Sequence, residues 1–199
     1  MSQSPLITAR QQHAQSILLT ADAICFDVDS TVSTEEGIDV LAEVGGQGEK
    51  VREYTQRAMN GHIPFEIALQ ERLHIIQPTT QLLTRCLELH PVSLTHRMGE
   101  LIQLLQYQQI PVYLISGGFV QMIEPIRQYL NIPETNVIAN TILFNSDGTY
   151  CDFDRTALTS RSGGKAAAVQ AIIEQHGYKR VVMIGDGITD VEACPPAST

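Results

Sequence analysis

Asp27-Val28-Asp29-Ser30-Thr31-Val32 sets two carboxylates two residues apart, directly after the apolar run Ala23-Ile24-Cys25-Phe26. A phosphoryl group is multiply anionic, so a carboxylate attacks it only when a cation offsets the repulsion and fixes the in-line geometry. Two acids at one turn therefore suit phosphoryl chemistry with magnesium, although an ordinary polar turn with a helix-capping Asp has the same look. Gly185-Asp186-Gly187-Ile188-Thr189-Asp190 is a second acid cluster, with Asp186 and Asp190 one helical turn apart. Magnesium prefers oxygen ligands and takes one or two protein carboxylates. Asp186 is the expected direct ligand, and Asp190 the group that orders a bound water or Lys165; a solvated helix acid is the plain alternative for Asp190.

Two further segments offer complementary groups. Ser116-Gly117-Gly118 is expected to follow a strand and open a helix, presenting a hydroxyl and backbone N–H groups to an anion. Glycines at such a turn also serve simply to let the chain reverse. Ser162-Gly163-Gly164-Lys165 leads into another helical pattern, where Lys165 would neutralise a phosphate and its pentavalent transition state. Taken alone, a lysine there reads as a surface cation.

The elements that must position these groups follow from hydrophobic patterning. Ala23-Ile24-Cys25-Phe26, Val112-Tyr113-Leu114-Ile115 and Val181-Val182-Met183-Ile184 are short apolar runs that stop at small or acidic residues, as buried parallel strands do at the edge of a sheet. Helical patterns lie between them at Thr95 to Gln108, Phe119 to Leu130 and Lys165 to His176. Alternation of this kind implies an α/β fold with a doubly wound parallel sheet, whose ligand site lies at the carboxyl ends of the strands. From Glu35 to Pro91 the rhythm breaks into helix-like segments (Gly37 to Glu43, Glu49 to Met59, Pro64 to Ile75, Thr79 to Leu89). This is read as an inserted helical cap, residues 35–91, between core segments 1–34 and 92–199. Thr141 to Phe144 and Thr149 to Cys151 flank Asn145-Ser146-Asp147-Gly148, a hairpin signal because Asp-Gly suits a tight reversal.

Bulk properties exclude several classes. The 199 residues are 43% hydrophobic and 18% charged, enough for a buried core, and no apolar run reaches the ~20 residues needed to span a bilayer. A net charge of -9 supplies no cationic surface for nucleic acid or anionic membrane. Met1-Ser2-Gln3-Ser4-Pro5 shows no basic region leading into an apolar segment, so the expected compartment is the cytoplasm. Cys25, Cys86, Cys151 and Cys194 are far apart and read as reduced thiols, Cys25 as a small core residue.

In this order the four polar segments resemble the four motifs of the haloacid dehalogenase (HAD) superfamily of phosphatases. Together with Glu35-Glu36-Gly37-Ile38-Asp39, Ile115 to Phe119 and Met183 to Gly187, they are similar to the branch that hydrolyses O-phosphoserine, over about Ala21 to Ala197. The resemblance implies that Asp27 attacks phosphorus to give an aspartyl-phosphate, while Asp29 protonates the leaving serine oxygen and then activates water. It implies Mg2+ held by the Asp27 and Asp186 carboxylates and the Asp29 main-chain carbonyl, with Asp190 in support. Ser116, Gly117, Gly118, Lys165 and Thr189 would surround the substrate phosphate. In the cap, Glu36 would receive the ammonium and Arg72 the carboxylate, for which a bidentate guanidinium is better suited than an amine. Met59 and Phe65 would form an apolar wall. The reaction would be the last step of serine biosynthesis on a small-molecule substrate, with a homodimer left open as the assembly.

Three features depart from that pattern. Asn60 precedes Gly61 where the branch has glycine directly after the cap methionine, so the loop is expected to shift or gain a polar contact. Pro125 falls inside a helical pattern, where it should remove a backbone bond and kink the helix. Past Pro195-Pro196 the branch continues with a further core strand and closing helix, which leaves an unpaired sheet edge as the expectation here. Two other readings follow: the same chemistry on another small phosphomonoester, or a shortened form that binds without turnover.

Overall fold

The computed structural model describes residues 12, 14, 16–60 and 63–197, excluding the side chains of residues 59 and 60. The expectations for Met1 to Pro5, the Met59 side chain and Gly61 fall outside the described residues. Four strands form one parallel sheet: β1 (Ala23–Phe26), β2 (Val112–Phe119), β3 (Val137–Asn140) and β6 (Val181–Ile184), in the order β3-β2-β1-β6. The side-chain alternation of a strand explains its two covered faces. Ile24 and Phe26 of β1 join Val112 and Leu114 of β2 on one face. Ala23 and Cys25 join Tyr113 and Ile115 on the other.

Helices cover both faces. α5 (Met98–Tyr107) buries Ile102 and Leu105, and α6 (Val120–Tyr129) buries Ile123 and Ile126, against the first face. α7 (Gly164–His176) lays Ala168, Val169 and Ile172 on the second. The short α8 (Ile188–Val191) follows β6, and beyond it Ala193 and Ala197 are buried in the second-face cluster. The doubly wound architecture is thus as expected. Among the described residues no helix is long and apolar enough to cross a membrane. The thiols of Cys25, Cys86, Cys151 and Cys194 are all free, Cys25 fully buried in the sheet.

Residues 35–91 hold four helices: α1 (Gly37–Val44), α2 (Gly48–Asn60), α3 (Phe65–Ile76) and α4 (Thr80–Leu89). Thr79 caps α4, its hydroxyl accepting from Leu82 N at 3.0 Å. These helices bury Leu41, Val51, Leu69, Leu73 and Leu83 in a cluster separate from both sheet faces. The antiparallel hairpin β4 (Ile142–Phe144) and β5 (Tyr150–Phe153) contributes Ile142 and Phe153 to that cluster, and the end of β2 contributes Phe119. The two chain connections between core and cap are strapped together: Thr34 N donates to Ser93 O (3.1 Å), Thr95 N to Val32 O (3.0 Å), and Glu35 pairs with His90 at 2.8 Å.

Four readings change. β2 does not stop at Ser116 but runs through Gly117 and Gly118 to Phe119, so those glycines end a strand instead of opening a helix, which begins at Val120. Pairing of Phe119 with Asn140 of β3 carries the strand past them. β3 itself was not expected, because its apolar run Val137-Ile138-Ala139 is short and only half-buried. α5 starts at Met98, after Arg97 takes a left-handed φ of 64° that no helix continues. Pro125 lies within α6, which is nevertheless continuous from Val120 to Tyr129; the one bond its missing N–H would make is to the carbonyl four residues earlier.

Leu41 is fully buried at the centre of the cap cluster. Leu41→Ala is expected to lower unfolding free energy by about 2–5 kcal/mol in urea titration.

Candidate active site

Pairing of β1 with β6, in register from Ala23 opposite Val181 to Phe26 opposite Ile184, brings both acid clusters to the same sheet edge. Asp27 is buried and fixed at its own turn: its N–H donates to Ile184 O (2.8 Å) and its Oδ1 accepts from Val28 N (2.7 Å). The next turn is tight, with Ser30 at φ 55°, a left-handed conformation that costs a non-glycine residue energy. Ser30 Oγ donates to Glu36 Oε1 at 2.5 Å.

Lys165, in the first turn of α7, is the cation of the cluster. Its buried Nζ lies 2.8 Å from Asp27 Oδ2 and 2.7 Å from Asp190 Oδ1. Asp27, Asp186 and Asp190 each place a carboxylate oxygen within 4.8 Å of the others. Burial pushes the Asp27 carboxyl up to about 6; the Lys165 charge and hydrogen bond pull it down, and the nearby Asp190 charge pushes it up again. Asp190 also accepts from Gly187 N (3.0 Å), and Asp186 accepts from Thr31 Oγ1 (3.2 Å). Three carboxylates share one ammonium, so a surplus of negative charge converges on hard oxygen donors. That donor set fits a divalent cation.

Asp29 faces elsewhere. Its Oδ1 accepts from Gly37 N of the first cap helix (2.6 Å), and its Oδ2 from Ser116 Oγ (3.0 Å). Ser116 is fully buried, and its hydroxyl in turn accepts from Gly118 N (2.8 Å), so it is engaged in holding Asp29. Gly118 is required here for space: a Cβ would lie 2.7 Å from Asp29 Oδ2.

These groups open into one cavity of about 370 Å³. On the core side it is lined by Asp27, Asp29, Gly117, Gly118, Lys165, Asp186 and Thr189; on the cap side by Glu36, Phe65 and Arg72. Of the expected site residues, Ser116 and Asp190 stand behind the lining. Withdrawal of Glu36 from water raises its pKa, opposed by the Ser30 hydrogen bond and reinforced by Asp29, Asp39 and Asp186. Arg72 is drawn below the ordinary arginine value by burial, against the attraction of Asp39, Glu36 and Asp29. It remains a cation with its Nε donating to Ala68 O at 3.2 Å. A second cavity, about 300 Å³, lies at the hinge, and Asp29 is in the wall of both.

Sequence reasoning passed over several lining or supporting groups. Ile38, Leu69, Thr159, Arg161 and Glu192 line the cavity, and Thr31 steadies Asp186. Thr31 and Arg161 sit inside or beside the quoted motifs, where a polar group next to a phosphate turn was the available signal. Ile38 and Leu69 are indistinguishable from core positions in sequence.

A parallel sheet with an acid cluster around a lysine at its carboxyl edge, roofed by a helical insertion, defines a phosphoryl-transfer hydrolase class, and the chain belongs to the haloacid dehalogenase-like hydrolases, whose family model matches residues 21–197. It is similar to the phosphoserine phosphatase of Bos taurus, with 48% identity over 183 residues that cover 92% of this chain and 81% of that protein. Two solved structures share the fold. A phospho-aspartyl intermediate analogue of phosphoserine phosphatase has a TM-score of 0.77 at 26% identity, covering 88% of this chain and 82% of that one. A substrate-bound phosphoserine phosphatase complex has a TM-score of 0.77 at 25% identity, with the same coverage of 88% and 82%.

Without its ammonium, the buried cluster would hold uncompensated carboxylates. Lys165→Met in metal-free buffer is expected to lose about 3–5 kcal/mol of stability, with part of the loss recovered when Asp27→Asn is added. Urea unfolding of the single and double variants measures both.

Proposed function

We propose that this chain is a magnesium-dependent phosphatase that hydrolyses O-phosphoserine to serine and phosphate, completing serine synthesis in the cytosol. The observation that carries this reading is that one cavity is lined by the Asp27, Lys165 and Asp186 cluster on one wall and by Glu36 and Arg72 on the other. The first wall suits a phosphoryl group. The second suits an ammonium and a carboxylate, the two charges that distinguish phosphoserine from a simple phosphomonoester. The relatives named above support the same substrate.

In this reading core residues 1–34 and 92–199 do the chemistry, and residues 35–91 read the amino-acid part. Arg72 holds the substrate carboxylate and Glu36 its ammonium, with Phe65 against the methylene. Gly117, Gly118, Thr189 and Lys165 surround the phosphate, and Ser116 acts from behind them through its hydrogen bonds to Asp29 and Gly118. An Asp27 carboxylate oxygen forms a bond to phosphorus as the bond from phosphorus to the serine oxygen breaks, and Asp29 gives that oxygen its proton. Asp29 then takes a proton from water, the water oxygen bonds to phosphorus, and the bond to Asp27 breaks, releasing phosphate. Lys165 offsets charge on the transferred group throughout. Mg2+, held by the Asp27 and Asp186 carboxylates and the Asp29 carbonyl with Asp190 in support, would supply electrostatic neutralisation of the phosphoryl oxygens.

The hinge and the hydrogen bonds to Asp29 give this scheme a structural requirement. In this scheme the hydrogen bonds from Gly37 N and Ser116 Oγ orient the Asp29 carboxyl for its proton transfers.

Phosphate release from phosphoserine, measured with magnesium and after chelation, should be lost on chelation and lost by more than about a thousandfold in Asp27→Asn with folding retained. Turnover by Asp27→Asn at the wild-type rate would remove Asp27 as nucleophile. Arg72→Ala should depress kcat/KM for phosphoserine by about a hundredfold while leaving an uncharged-alcohol phosphomonoester largely unaffected. Equal losses on both would favour a different phosphomonoester as substrate.

A further inference from the structure

The cap touches the core at a place remote from its hinge. Hinge residues Ser33, His90 and Ser93 border the second cavity, whereas Phe65 and Ser162 border the first. There, Glu66 Oε2 accepts from both Ser162 N (3.1 Å) and Ser162 Oγ (3.2 Å), and Ser162 Oγ accepts from Phe65 N (3.3 Å). One turn along α3, Gln70 Oε1 accepts from Arg155 Nη1 at 3.1 Å, so residues four apart present one helix face to the core. Beside this contact the Phe65 ring lies over Gly117, where a Cβ would come within 2.9 Å of Phe65 Cζ.

None of Glu66, Gln70 and Arg155 lines the cavity, which leaves them no part in the chemistry. Ser162, by contrast, stands three residues before Lys165, on the turn that delivers the ammonium to Asp27. Hydrogen bonds from its own backbone N–H and from Ser162 hold the Glu66 carboxyl below the usual range, and Arg161 adds to this. The carboxylate is therefore charged at neutral pH, where a charged acceptor makes the stronger bond.

We propose that Glu66 is a positioning residue: by clasping Ser162 it seats the cap on the core, so that the wall carrying Arg72 and Phe65 stands in register with Asp27 and Lys165. Substrate then meets a preassembled cavity instead of spending binding energy on closing it. The proposal rests on the phosphoserine reading for its kinetic consequence but not for the clasp itself.

The test compares full-length wild type, Glu66→Ala and Glu66→Gln, each with magnesium. Phosphate release is measured from phosphoserine and from phenyl phosphate, and deuterium uptake is followed over residues 158–168. Glu66→Ala should raise KM for phosphoserine about tenfold, with kcat within about twofold of wild type. Its kcat/KM for phenyl phosphate should change by less than about twofold, since that substrate has no ammonium or carboxylate for the cap to read. Uptake at Ser162 should rise while the urea midpoint stays constant. Glu66→Gln keeps an acceptor oxygen and should restore most of both effects. Unchanged KM and uptake in Glu66→Ala would overturn the proposal, as would equal losses on both substrates with a lowered urea midpoint. Should wild type release no phosphate from phosphoserine, the substrate reading fails and the uptake comparison alone decides the clasp.

Discussion

The Lys165 ammonium, buried between Asp27 and Asp190 at 2.8 and 2.7 Å, is the interaction on which the architecture turns. Three carboxylates with oxygens within 4.8 Å of one another repel, most strongly for Asp27 and Asp190, which are buried while Asp186 is exposed. One ammonium compensates part of that charge and leaves the remainder to attract a second cation. The parallel pairing of β1 with β6 is what brings the acids together, and the start of α7 is what brings the lysine to them. Each of these elements is held by its own apolar face, so the electrostatic cluster sits on packing that exists without it.

The cap follows a different logic. Its helices enclose a hydrophobic cluster of their own, which the β4-β5 hairpin and Phe119 complete from the core side. The insertion therefore rests on the end of β2, the strand that also supplies Gly117 and Gly118 to the cavity. Two cross-linked connections at the hinge and the Glu66 contact at the far side restrict how that unit can tilt.

Much of this was legible in the residues. Apolar runs of four that end on Asp27 and at Gly185-Asp186 announced strands whose ends carry chemistry, and the cap helices were expected within a residue or two of their observed bounds. Such features depend on local patterning. β3 escaped because three half-buried apolar residues carry little period, and it becomes a strand only through pairing with β2. The passage of β2 through two glycines escaped for the same reason, since glycine is unfavourable in isolated strands and tolerated here by its neighbours. The Glu66 and Ser162 contact joins positions 96 apart, and nothing in either neighbourhood points to the other. Asp29 stands out in the sequence as the second acid after β1, yet its anchoring to the cap N–H is a tertiary fact that no motif encodes.

That anchoring has an evolutionary consequence. Asp29 belongs covalently to the core but takes one of its two side-chain hydrogen bonds from Gly37, the first residue of the insertion. Under the proposed mechanism, selectivity and acid–base function are thus not separable modules. A lineage that exchanged this insertion for another would also inherit a new neighbour for the Asp29 carboxylate. Diversification of the roof is constrained at its first residue, where the new chain must still offer an N–H to the same carboxylate.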